Sequence, residues 1–142
     1  VKVLIVDSPE NQALLIEALE DLGHEVISGS EQVELVEKTT QGSEEEIFRS
    51  EQAGLILLPH QPEKDYIGMV RALQALVPGA LIVVIYPGTF PDKHVRDYIL
   101  AGVLECWPYP SNKSKALTLV AYLGSLVKGR LLALFGKDLI RV

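Results

Sequence analysis

Short apolar runs that alternate with helical patterns constrain this chain more than any other feature of its sequence. Four runs are continuous and rich in β-branched residues: Lys2–Val6 (KVLIV), Leu55–Leu58 (LILL), Ala80–Tyr86 (ALIVVIY) and Gly102–Trp107 (GVLECW). A run this short and this evenly apolar is the pattern of a strand buried on both faces, as in a parallel sheet. A fifth strand, Glu25–Ser28, follows the turn signal Leu22-Gly23-His24.

Helical patterns fill the intervals. The first has Ser8 as N-cap, Pro9 at the first helical position and Glu10 in the first turn. Leu14, Leu15, Ala18, Leu19 and Leu22 keep helical spacing, and Gly23 closes it. Glu44–Glu51, after Gly42-Ser43, reads as the second helix and Tyr66–Leu76, stopped by Pro78-Gly79, as the third. Asp92–Ala101, stopped by Gly102, is the fourth and Lys113–Val127 the fifth. The order βαβαβαβαβα predicts an α/β fold: a parallel sheet covered on both faces, joined by right-handed crossovers. Gly29–Thr40 (GSEQVELVEKTT) fits an extended strand, an added hairpin or an extra helical turn equally well.

A chain of 142 residues with 48% hydrophobic and 23% charged content fits one ordinary globular domain. Its net charge of −6 disfavours direct nucleic-acid binding. Cys106 is the single cysteine, which rules out an internal disulfide and fits a reducing compartment, so a cytoplasmic location is expected. Asp7 ends the first apolar run too early for a signal peptide. In Ala116–Phe135, Lys128, Arg130 and two glycines interrupt the apolar pattern, so no membrane span is expected. The missing initiator Met and the ending DLIRV in mid-pattern point to a fragment of a longer protein.

The quoted strand endings resemble the receiver domain of two-component response regulators. KVLIVDSPENQALLIEALEDLGHEV is similar to a receiver's first strand, first helix and second strand, and AGLILLP to its third strand. PGALIVVIYPG is similar to the fourth, and AGVLECWPYP to the Ala-Gly stretch that leads through the fifth strand to a Lys-Pro ending. The resemblance runs from Lys2 to about Val127, with one stretch near Gly29–Thr40 longer than a receiver's. It implies a flavodoxin-like (βα)5 three-layer sandwich with a five-stranded parallel sheet in the order 2-1-3-4-5. It implies a receiver-like domain over residues 1–128, with 129–142 as an extension or linker towards an output domain.

In receivers, two acidic residues after the first strand hold Mg²⁺ with an aspartate that ends the third, and that aspartate accepts a phosphoryl group. A Thr or Ser ending the fourth strand and a Lys ending the fifth bind the phosphoryl oxygens. Here the acidic pair is Asp7 followed by Ser8, the acceptor position falls on Pro59, the hydroxyl position on Tyr86 and the lysine position on Tyr109. Only Asp7 keeps its residue type. Phosphoryl transfer needs an oxygen nucleophile and a cation cage, and Pro59 supplies no nucleophile. The resemblance is therefore to a degenerate pseudo-receiver, not an enzyme, without cofactor or phosphoacceptor. Tyr86 and Tyr109, with Trp107 and the prolines, are expected to fill the former pocket.

Other residues carry competing readings. Asp7 reads as a solvated strand-end carboxylate beside a helix N-terminus, and is the one candidate for a cation. His60, with Asp65 as orienting partner, reads as loop surface against a catalytic alternative. Cys106 reads as a small buried hydrophobe. GSLVKGR and PGTF lack the glycine spacing of phosphate loops. The resemblance leaves Tyr109-Pro110 between the cis bond common at that place in receivers and the trans default of X-Pro. The apolar stretch Gly129–Val142 either packs back on the domain or forms a dimer seam or linker.

The function expected from these readings is bacterial two-component signal transduction without phosphorylation. The domain would bind a protein partner or a second copy through its fourth-helix, fifth-strand and fifth-helix face, here His94–Leu100 and Lys113–Val127. The alternative is a small flavodoxin-like ligand-binding domain or enzyme using Asp7, His60 and Tyr109. A third reading, a front end for a DNA-binding or ATPase regulator, differs from the first only in the chain beyond Val142.

Overall fold

The apolar runs become strands because the sheet uses both of their faces. In this computed structural model, which describes residues 2–6, 9–28, 53–61, 63, 65–88 and 91–140, five strands form one sheet. They are β1 (Lys2–Ile5), β2 (Glu25–Ser28), β3 (Leu55–Pro59), β4 (Leu81–Tyr86) and β5 (Glu105–Pro108). All pairs are parallel and the order is β2-β1-β3-β4-β5. Alternate residues of the central strands point to opposite layers. Leu4, Val6, Ile56, Leu58, Ile82 and Val84 face one, and Val3, Ile5, Leu55, Leu57, Leu81, Val83 and Ile85 face the other. Burial on both sides explains why these strands show no polar alternation.

Four helices are α1 (Ala13–Asp21), α2 (Tyr66–Leu76), α3 (Asp92–Ala101) and α4 (Lys113–Ile140). α1 and α4 pack Leu15, Leu19, Leu119, Val120 and Leu123 against the Val3–Ile5–Leu57 side. α2 and α3 pack Met69, Val70, Leu73, Leu76 and Tyr98 against the Leu4–Ile56–Val84 side. Each fully buried Leu or Ile of these layers contributes about 1.5–3 kcal/mol of transfer free energy. The result is the flavodoxin-like three-layer sandwich expected from the sequence.

Several boundaries differ from the expectations, each for a physical reason. The first helix opens with a 3-10 turn, Pro9–Gln12, and becomes α-helical only at Ala13. Gly102 does not begin the fifth strand: it caps α3 in the left-handed region at φ 102°, so β5 starts at Glu105. A Cβ at Gly102 would also lie 2.7 Å from Gln74 Nε2, which donates to Ala101 O at 2.8 Å. The last helix does not end at Val127 but runs unbroken to Ile140, because a helical glycine such as Gly129 costs about 1 kcal/mol without stopping the helix. No peptide bond among the described residues is cis, so Tyr109–Pro110 is trans. No helix among the described residues is long and apolar enough to cross a membrane. The expected second helix Glu44–Glu51 and the stretch Gly29–Thr40 lie outside the described residues.

Candidate functional site at the strand ends

β3 keeps Pro59 inside the strand, opposite Ile85 of β4. Val6 N donates to Leu57 O at 3.1 Å and His60 N donates to Ile85 O at 2.8 Å. That alternation turns the nitrogen of Pro59 towards β1, which has already ended at Ile5. A residue with no N–H is tolerated where the ladder has no acceptor to offer it. Tyr86 ends β4, paired with Pro108 of β5, and Tyr109 N donates to Tyr86 O at 2.9 Å. Pro59, Tyr86 and Tyr109 therefore stand at the carboxyl ends of three neighbouring strands, the usual place for ligands in open α/β sheets. Asp7 and Ser8 lie outside the described residues.

Mg²⁺, which the resemblance to receivers implies at such a place, finds no fitting ligand set among the described residues. That ion takes carboxylate, carbonyl and water oxygens. Pro59 has no side-chain oxygen, and phenols such as Tyr86 and Tyr109 are poor ligands for it. Among the described residues no three His, Cys, Asp or Glu side chains converge on a cation position.

The polar groups gather instead one step to the side, between the loop after β3 and the helices α2 and α3. His60 Nδ1 lies 2.7 Å from Tyr98 Oη, and His60 Nε2 lies 3.1 Å from His94 Nδ1. Tyr66 donates its hydroxyl to Asp97 Oδ2 at 2.8 Å. The rings of His60, Tyr66, His94 and Tyr98 interlock at centroid separations of 4.8 to 5.4 Å. Tyr98 is fully buried, and burial pushes its phenol far up from the ordinary range. The hydrogen bond to Asp97 raises Tyr66. His60 is lowered, first by burial and then by the neighbouring His94, while Glu63 opposes both.

A second feature lies on the α4 side of β5. A cavity of about 560 Å³ is lined by Trp107, Tyr109, Pro110, Ser114, Lys115 and Tyr122, among others. Glu105 fixes its aromatic wall: Trp107 Nε1 donates to one carboxylate oxygen at 2.6 Å and Tyr122 Oη to the other at 2.7 Å. That hydrogen bond raises the Tyr122 phenol.

The residues singled out in the sequence are thus divided. His60 turns to the α2–α3 layer, whereas Tyr109 packs on the α1–α4 layer, so the alternative constellation of Asp7, His60 and Tyr109 does not assemble from its two described members. Trp107 does not fill the strand-end site but walls the cavity beside α4. Asp65 does not orient His60: it caps α2, accepting from Gly68 N at 3.0 Å. Cys106 is half-buried against the α2–α3 core, and burial pushes its thiol up to about 11, as suits an inert small hydrophobe. The sequence reading missed Tyr66, His94, Asp97 and Tyr98 as a group. The only signal was the spacing of His94, Asp97 and Tyr98, which shares one face of α3.

The sheet order and the helices on both faces define a flavodoxin-like α/β protein. Among solved structures the chain is similar to a response regulator from Thermotoga maritima, at 17% identity, TM-score 0.64, and 87% and 97% coverage of this chain and that one. It is similar to the Mn²⁺-bound form of the response regulator Rcp1 at 20% identity, TM-score 0.64, covering 87% and 91%. It is similar also to a pilus assembly protein of Burkholderia thailandensis at 12% identity, TM-score 0.63, covering 88% and 98%. At these identities the likeness is one of fold. No protein-family model matches the chain, and neither does any curated protein sequence.

Proposed function

We propose that this chain is a receiver-like signalling module that does not accept a phosphoryl group and acts by binding a protein partner or a second copy of itself. The observation that carries the reading is Pro59 at the end of β3, where an acceptor would need an oxygen nucleophile. Tyr86 and Tyr109 at the neighbouring strand ends add bulk rather than the hydroxyl and ammonium groups that hold a phosphoryl dianion. The similarity to response regulators of known structure supports the signalling context.

The binding face in this reading is that of α3, β5 and α4. Leu100 is 80% exposed, and Ile99, Leu104 and Tyr122 of the same three elements and their loops are exposed too. Large apolar side chains grouped at a sheet edge mark an interaction surface more often than isolated ones do. In this reading residues 1–128 form the module and 129–142, of which 129–140 continue α4, lead towards an output domain. A bacterial, cytoplasmic setting follows from the same resemblance.

The test is incubation with acetyl phosphate and Mg²⁺ followed by intact-mass measurement. The expected result is no phosphoryl adduct, and no saturable change in the fluorescence of Trp107, the chain's one tryptophan. A Mg²⁺-dependent adduct on a carboxylate would overturn the reading.

A further inference from the structure

His60 joins three elements. Its backbone N–H is held by Ile85 of β4, its Nδ1 meets Tyr98 and its Nε2 meets His94, both on α3. The Tyr98 phenol remains an O–H because burial holds its proton on, so it can serve a bare His60 nitrogen as donor or a protonated one as acceptor.

The His60–His94 contact has a limited proton capacity. Two neutral imidazoles satisfy it with one N–H facing one lone pair. One added proton still fits, because an imidazolium donates to the bare nitrogen of its neighbour. A second places hydrogens on both facing nitrogens, 3.1 Å apart, and sets two positive charges against each other.

Among the described residues, the titratable and charged groups that face the pair come from several elements. Glu63, before α2, favours a charged His60. From α2, Tyr66 faces both rings but has its hydroxyl committed to Asp97 of α3. Asp65 is committed to the α2 cap. From β5, Cys106 approaches Tyr98 as an uncharged thiol. On α3, Asp92 lies in the first turn with Lys93 and Arg96 exposed nearby, and a helix N-terminus disfavours added positive charge.

We propose that the His60–His94 pair is a proton-operated latch between the loop after β3 and the first turn of α3, closed with at most one proton on the pair and opened by the second. Opening releases the start of the helix that also presents Ile99 and Leu100 to solvent. The sign follows from His60. Its proton is held off in the folded chain, so the stability it contributes is present above its ordinary value of 6.5 and is lost as pH falls through the lowered one.

Imidazole NMR of the whole chain across the histidine range tests the latch, with three histidines assignable by single variants. His60 is expected to titrate below 6.5, and amides of residues 60–61 and 92–95 to shift together at that step. His94→Gln should raise the His60 midpoint and uncouple the two sets of amides. His60→Gln is the reciprocal variant, and should likewise uncouple the two sets of amides. Independent titration of the two rings in the parent chain would overturn the latch. So would an unmoved His60 midpoint in His94→Gln, or α3 amides that ignore the His60 step.

Discussion

The two helical layers cover one sheet with different chemistry. The α1–α4 layer meets it with aliphatic side chains, among them Leu15, Leu19, Leu119 and Leu123. Its charged contacts lie at the rim, where Lys113 reaches Glu17 at 2.8 Å and Asp21 at 3.0 Å. The α2–α3 layer has an aliphatic floor too, but at the carboxyl end of the strands it carries the interlocked His60, Tyr66, His94, Asp97 and Tyr98. The aliphatic contacts of the first layer resist change because apolar burial is indifferent to pH. The second is held in part by groups whose hydrogen bonds depend on protonation. On the proposed reading, in which the strand ends accept no phosphoryl group, that second layer would give the module a means of responding to its surroundings.

The largest test of this contrast is Leu123→Ala in the α1–α4 layer. Leu123 is fully buried, and its truncation should cost about 3 kcal/mol in urea denaturation, by the same amount at mildly acidic and mildly basic pH. A loss that varied with pH would break the comparison. Tyr98→Phe comes next: it keeps the buried ring but removes the hydroxyl that faces His60. It should cost about 1–2 kcal/mol and change the slope of stability against pH through the histidine range. A parallel offset at every pH would mean that Tyr98 acts by packing alone. Smallest is Lys113→Ala. Hydrogen bonds to Glu17 and Asp21 raise the Lys113 ammonium, but the side chains of Lys113, Glu17 and Asp21 are 48%, 55% and 46% exposed. Exposed pairs contribute little, so no measurable change in the denaturation midpoint is expected, and a clear loss would give the rim a structural role.

Much of the architecture is legible in the sequence because it depends on local patterns. KVLIV, LILL and ALIVVIY name strands buried on both faces, and Asp92–Ala101 is readable to the residue because Gly102 must adopt the left-handed cap. The differences arise where a local signal competes with a longer-range one. Lys113–Val127 reads as the last helix, yet α4 continues through Gly129 to Ile140. GVLECW reads as a strand from its first residue, yet its glycine serves the preceding helix.

The site divides in the same way. Residue types at strand ends are local facts, so a strand that ends in Pro59, without a side-chain nucleophile, can be read in the sequence. Which side chains meet cannot be read there, because the direction of each depends on strand parity and on the helix above it. Nearness in the chain pairs His60 with Asp65, but β3 points it into the layer where Tyr98 and His94 lie, 38 and 34 positions distant. Alone, the sequence determined a parallel α/β sandwich and the lack of a side-chain nucleophile at Pro59, since hydrophobic periodicity and the chemistry of one residue suffice for both. Only the tertiary structure decided that two histidines share a hydrogen bond, because that contact exists only once the loop after β3 and α3 are packed on the same face of the sheet.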